Sequence, residues 1–194
     1  MAGLCTVQDV KARSRITDTR WDTLIEAWIE PASIAVEDHC GGRQFLIDDT
    51  SSTRVFTGAG GRFVAIDDLS AKPTLVELHD REGNLNADLT SIVTTSPRNL
   101  RAGGWQPIRG LWFRTRTIPR GWEIYVTGVW GFPLVPPHVK EAVIETIRDW
   151  LRDAQAVIDD HPDIDGLGNG PISRGIPPRA RNLVENLVRD EVAY

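Results

Sequence analysis

The chain has 194 residues, 41% of them hydrophobic and 25% charged, an ordinary balance for one globular domain with an attached arm. Its formal charge of -5 argues against the basic footprint of a protein that grips nucleic acid, and no window reaches the roughly 18 apolar residues a membrane span needs. The opening MAGLCTVQDVK lacks the basic stretch and apolar run of a secretory signal, so a soluble protein kept inside a cell is expected, with Cys5 and Cys40 as free thiols.

Thr6 followed by Asp9 predicts a capping box, with Asp in place of the usual Glu, opening a short helix through about Arg13. Asp18 or Thr19 is placed to cap the next. Trp21, Leu24, Ile25, Trp28, Ile29 and Ala32 then recur at helical spacing, an apolar stripe that faces a core. Pro31 lies inside that pattern and removes a backbone donor, so a kink or break is expected near Glu30 before the helix resumes through Val36. Gly41 and Gly42 end it.

From Arg43 to about Trp130 the pattern turns to strands. Thr53 to Thr57 and Arg62 to Ile66 flank Gly58-Ala59-Gly60-Gly61 and predict a hairpin, and Thr74 to His79 leads into the turn-prone Arg81-Glu82-Gly83-Asn84. Ser96 to Pro107 has no period and predicts a loop. Leu111 to Ile118 and Trp122 to Trp130, joined by Ile118-Pro119-Arg120-Gly121, predict a second hairpin. Alternation puts Trp122, Ile124, Val126, Gly128 and Trp130 on one face of its second strand.

After Pro136-Pro137 a second long stripe runs through Val139, Ala142, Val143, Ile147, Trp150, Leu151, Ala154 and Ile158. That helix spans about 30 Å and is expected to pack on the Trp21 to Val36 helix; Pro137 suits its first turn, where the missing N–H has no intrahelical partner anyway. Beyond Asp159 the chain is acidic and then rich in Gly and Pro, and Arg179 to Val192 regains helical spacing through Leu183, Val184, Leu187 and Val188. So short a helix has to dock on its own domain or on a neighbour. The expected architecture is α+β: a helical core, with long helices near 19–40 and 137–159, carrying a β-rich insertion at about 43–130. Residues 1–160 form this domain, and 161–194 an extended C-terminal arm ending in a short helix.

Catalytic signatures are missing from this sequence. Gly58 to Gly61 is not followed by the Lys-Ser/Thr of a phosphate loop, and a turn accounts for it. The run from His161 to Gly166 begins a calcium-like loop with His and would end it on Ile172 where Glu is required. His39 beside Cys40 fits a helix C-terminus better than a metal, and the pairs Asp48-Asp49 and Asp67-Asp68 would point to opposite faces of a strand. No catalytic, cofactor-binding or metal-binding residue is therefore assigned. Seven tryptophans are many for this length, and Trp105 and Trp112 lie in or beside a loop, where an interface explains them as well as a core does. Arg98, Arg101, Arg109, Arg114, Arg116 and Arg120 cluster in the same region, suited to pairing with a neighbour's carboxylates.

The order of these pieces is informative. A short helix, a helix ending in Glu-Asp-His-Cys-Gly-Gly-Arg-Gln-Phe, a β-rich segment, and then Val-Thr-Gly-Val-Trp-Gly-Phe-Pro-Leu-Val-Pro-Pro-His-Val-Lys-Glu-Ala before a long helix resemble the head-to-tail connector (adaptor, or head-completion) proteins of long-tailed double-stranded DNA phages. The resemblance covers most of the chain and includes the terminal Gly-Ile-Pro-Pro-Arg-Ala. It implies a noncatalytic virion protein of the capsid-tail neck, assembled in the host cytoplasm. Such a protein forms a ring, commonly of twelve copies, that binds the portal, extends the channel through which the DNA passes without sequence-specific binding, and docks the next neck or tail protein. The candidate interface residues are Trp105, Arg109 and Trp112 in the β-rich segment and Arg174, Ile176, Arg179, Arg181, Leu183 and Leu187 in the arm. The alternatives are a small intracellular enzyme with a pocket near Trp105, His79 and Arg109, and a different neck or tail-completion protein.

Overall fold

The structure is a computed structural model and describes residues 3–98, 104–160 and 175–189, leaving aside the side chains of 156–160. The chain divides into two compact units, Gln44–Val135 and the combination of Met1–Arg43 with Pro136–Tyr194.

The helical unit begins with α1 (Val7–Ser14). Its capping box is formed as the sequence predicts: the Asp9 amide donates to the Thr6 hydroxyl at 3.2 Å and the Thr6 amide to the Asp9 carboxylate at 2.9 Å. The Lys140 ammonium 2.7 Å from the Asp9 carboxylate, with the Thr6 bonds, holds that carboxyl below its usual range and ties α1 to the long α3 (Pro137–Asp160). Helix α2 (Asp22–His39) buries Ile25, Trp28, Ile29, Ala32, Ser33 and Val36. It runs through Pro31 without the expected break. Pro31 and Ala27, whose carbonyl loses its usual donor, both lie on the exposed face, so the freed oxygen is not shut away from solvent in the core. The α2 stripe packs on α3, with the Trp28 and Trp150 rings perpendicular and 6.0 Å apart. Pro137 opens α3 at its first position.

Helix α4 (Pro178–Val184) and a 3-10 turn (Glu185–Leu187) close the described chain and pack within this unit. Ile176, Ala180, Val184 and Leu187 are buried. Arg43, 2% exposed, donates to the Leu187 carbonyl at 3.0 Å, which ties the turn to the segment after α2.

The other unit has seven strands: β1 (Ser52–Thr57), β2 (Phe63–Leu69), β3 (Leu75–His79), β4 (Leu85–Asp88), β5 (Val93–Ser96), β6 (Ile108–Phe113) and β7 (Glu123–Gly128). They form two antiparallel sheets, ordered β1-β7-β3-β4 and β2-β6-β5. Alternate side chains of both sheets meet in one apolar core that includes Val64, Ile66, Leu69, Val76, Leu78, Leu111, Phe113, Ile124, Val126 and Trp130. This corrects the expected fold class. Among the described residues there are four α-helices and seven strands in two sheets, 34% helix and 24% strand, and not a helical core. The physical reason is that the two sheets cover each other's apolar faces, so the strands need no helical core to bury them.

Both expected hairpins are overturned as well. β1 and β2 belong to different sheets, β1 pairing with β7 and β2 with β6; β6 and β7 are likewise separated. β3 and β4 do form a local hairpin, across a turn in which the Asp80 carboxylate accepts from the amides of Asn84 and Glu82 at 2.9 Å. The two loops that looked like hairpin turns bond to each other instead: Gly58 donates to the Trp122 carbonyl at 2.7 Å, Gly121 to Gly58 at 2.9 Å, and Ile118 to Gly61 at 2.8 Å. The stretch after β7 is stitched down similarly. Gly131 donates to the Asp68 carbonyl at 2.7 Å, and Asp48 donates to the Trp130 carbonyl at 2.9 Å. Gly131 has φ +98°, and a Cβ there would run into the Leu46 carbonyl, so only glycine fits. No helix among the described residues is long and apolar enough to cross a membrane.

Candidate functional site

In the three-stranded sheet, Val64, Leu111, Phe113 and Thr95 point into the core, so their neighbours must face outward. Phe63 of β2 and Trp112 of β6 are directly opposite in register and lie on that outer face, with Thr94 of β5 completing the row. Their ring centroids are 5.2 Å apart at 49°, and the side chains remain 40% and 42% exposed. Gly110 lies under the Phe63 ring, where any Cβ would overlap it, which lets the ring rest on the strand. Exposed large rings on a sheet face are what an interface supplies and a lone surface does not need.

By alternation Arg114, two residues after Trp112, falls on the side of the pair, whereas Arg62 and Arg109 fall on the other; all three are exposed, and none makes a side-chain hydrogen bond or ion pair among the described residues. Trp112 and Arg109, both expected as interface residues, thus sit on one strand. Trp105 is set apart from the exposed pair, half-buried, its ring nearly parallel to that of Phe132 at a centroid distance of 6.3 Å. Phe63 escaped the sequence reading because alternation shows that it is on a strand but not that the strand lies beside Trp112.

The candidate arm residues fall in the helical unit. Ile176 and Leu187 are buried and Leu183 is half-buried, whereas Arg179 is exposed, 3.8 Å from the Glu145 carboxylate. The Arg181 guanidinium donates to the Ile176 carbonyl at 2.9 Å. Arg174 lies outside the described residues.

Two further polar clusters lie in the strand unit, one around Arg54 and one around His79. The Arg54 guanidinium sits 4.6 Å over the Trp130 ring and donates to Asp67 at 3.0 Å and to Gln44 at 3.1 Å, closing one end of the core. On the outer face of the four-stranded sheet, His79 lies on the Tyr125 ring with centroids 4.1 Å apart. His79 Nδ1 is 3.0 Å from the Gly83 carbonyl and its Nε2 3.7 Å from Glu77, while the Tyr125 hydroxyl donates to Glu123 at 3.2 Å, which raises its pKa. These contacts brace the β3-β4 turn against β7. His79 and Arg109, expected near one pocket, belong to different sheets. Among the described residues no three His, Cys, Asp or Glu side chains are arranged to hold a metal ion.

Open cavities line the helical unit. One of about 270 Å³ is bounded by Ser14, Ile16, Trp21, Arg148, Leu151 and Arg152, and another of about 410 Å³ by Asp9, Arg13, Lys140, Glu141 and Ile144. Ion pairs already engage most of the charged groups around the second. No protein-family model matches the chain, and no curated protein matches it in sequence.

Proposed function

We propose that the chain is a noncatalytic structural protein of the neck of a long-tailed double-stranded DNA phage. In this reading it is one subunit of a ring that binds the portal, continues the DNA channel and offers a surface to the next neck or tail protein. The observation that carries the reading is the exposed Phe63–Trp112 pair, a surface a single copy leaves uncovered. The setting in a virion rests on the order of elements and on the stretch Tyr125 to Val143, whose Gly131 and Pro137 have specific structural duties at the end of the strands and the start of α3. A net charge of -5 suits a conduit, because a strongly basic lumen would hold a passing duplex by its phosphates.

Co-purification tests the assignment. The tagged full chain, expressed with the portal encoded beside it, is expected to retain the portal through washing at moderate salt. A neighbourhood without portal and capsid genes, or a portal that washes away, contradicts the reading.

A further inference from the structure

We propose that His79 is a proton-operated clasp: a proton taken up at Nε2 is shared with Glu77 and draws the β3–β4 turn onto β7. This inference is independent of the neck reading. The Nδ1 atom lies 3.0 Å from the Gly83 carbonyl, which can only accept, so Nδ1 carries the hydrogen in the neutral ring. Nε2 is then a bare acceptor, buried and without a hydrogen-bond partner among the described residues. The group in front of it, the Glu77 carboxylate at 3.7 Å, is another acceptor. A second proton resolves the mismatch. Both nitrogens become donors, a small closing movement turns the approach to Glu77 into a charge-assisted bond, and the charged ring rests on Tyr125 at a centroid distance of 4.1 Å.

The titratable groups around the ring single out Glu77. Glu123 is directly opposite His79 on β7, but it accepts from the Tyr125 hydroxyl at 3.2 Å. Asp88 of β4, opposite Glu77, accepts from the Thr90 amide at 2.8 Å. Asp80 accepts from the Asn84 and Glu82 amides in the turn; the Asn84 amide first, with the charge of His79 among the lesser causes, holds its carboxyl below the usual range. Glu82 is exposed at the turn, Arg81 is directed to the Arg120 carbonyl at 3.0 Å, and Arg116 to Asn86. Glu77 makes no contact of this kind among the described residues except the one with His79. The Arg81 bond carries the effect further: it ties the turn to the loop before β7, and Gly121 of that loop bonds to Gly58 after β1. The clasp therefore acts where three loops of the strand unit meet. Histidine is the side chain that ordinarily changes charge near neutral pH.

Magnetic resonance of the ring nitrogens and amide exchange of the full chain test the clasp. In mild alkali the His79 ring should carry its hydrogen on Nδ1 alone, and on acidification it should gain one on Nε2. Exchange protection of the Asp80 and Asn84 amides, corrected for the intrinsic effect of pH, should be about threefold greater at about pH 5.5 than at about pH 7.5, the size expected of a partly exposed ion pair. The closed turn offers the second proton a carboxylate and the opened turn does not, so protection is full at low pH and falls as pH rises. His79→Gln should abolish the pH difference, and Glu77→Gln, which keeps the shape without the charge, should remove most of it. Glu123→Gln should leave it in place. A neutral ring with its hydrogen on Nε2, protection that ignores pH in the unmodified chain, or a pH difference that survives either of the first two substitutions overturns the clasp. So does a difference that disappears in Glu123→Gln while Glu77→Gln retains it.

Discussion

Phe63 and Trp112 face each other across β2 and β6 with their ring centroids 5.2 Å apart, and the space for the Phe63 ring exists because residue 110 is glycine. Two large rings left 40% and 42% exposed contribute less to the fold of one chain than buried rings do. Their value lies in what covers them.

Trp112→Ala should therefore separate folding from assembly. Removing a side chain that is 42% exposed is expected to lower stability by less than about 1 kcal/mol. Truncation of an aromatic anchor at an interface costs about 2 kcal/mol or more, a loss of roughly thirtyfold in self-association. Thermal unfolding and sedimentation of the same samples measure both. Gly110→Ala is the complementary change: its Cβ displaces the Phe63 ring, so association weakens although both rings remain.

Gly131→Ala should be among the most damaging substitutions in the chain. The residue combines φ +98° with a Cβ position blocked by the Leu46 backbone, and backbone cannot swing aside as a side chain does. A loss of about 3 kcal/mol or more is expected in urea unfolding, against about 1 to 2 kcal/mol for Gly83→Ala, which also has positive φ but open space around its Cβ.

The C-terminal helix is part of the helical unit, and truncating the chain after Gly166 should destabilise it. The truncation removes Ile176, Ala180, Val184 and Leu187 from a buried position and strips the Leu187 carbonyl from Arg43. The expected result is a lowered melting temperature with new binding of an apolar dye. Val184→Ala, a smaller change, should cost about 1 to 3 kcal/mol. This alters the meaning of an arm deletion, because lost portal binding would follow from unfolding as readily as from a lost contact.

Both thiols should be inert until the helical unit opens. Burial pushes Cys5 and Cys40 up from 9.0 to about 11, so at pH 8 only about one in a thousand is thiolate. A disulfide reagent should label neither in the native protein and both in urea. The folded values are raised, so the unfolded chain releases these protons first. The thiols' contribution is intact below about pH 9 and declines as pH rises toward 11. Replacing Cys40 with Ala should flatten that part of the alkaline unfolding curve.

Local signals in the sequence carried well into the structure. Thr6 with Asp9 marks the start of α1, Pro137 the start of α3, and the apolar stripes of α2 and α3 mark the faces that meet at Trp28 and Trp150, because each depends on residues a turn or two apart. Pairing did not carry in the same way. Ser52 lies opposite Gly128 and Phe63 opposite Trp112, and a strand's alternation shows its two faces but says nothing of its partner. Gly58 to Gly61 looked like a hairpin turn for that reason, when its work is to bond to the loop at Ile118 to Trp122. The candidate surface was legible in Trp112, while Phe63 and Gly110 became visible only once neighbours and exposure were known.

Electron microscopy of the purified full-length protein, alone and mixed with its portal, tests the central claim most directly. The account predicts a closed ring with a central channel, stacked coaxially on the portal, in which each subunit touches the next through unlike patches. Particles that remain single and leave the portal bare at micromolar concentration would contradict it.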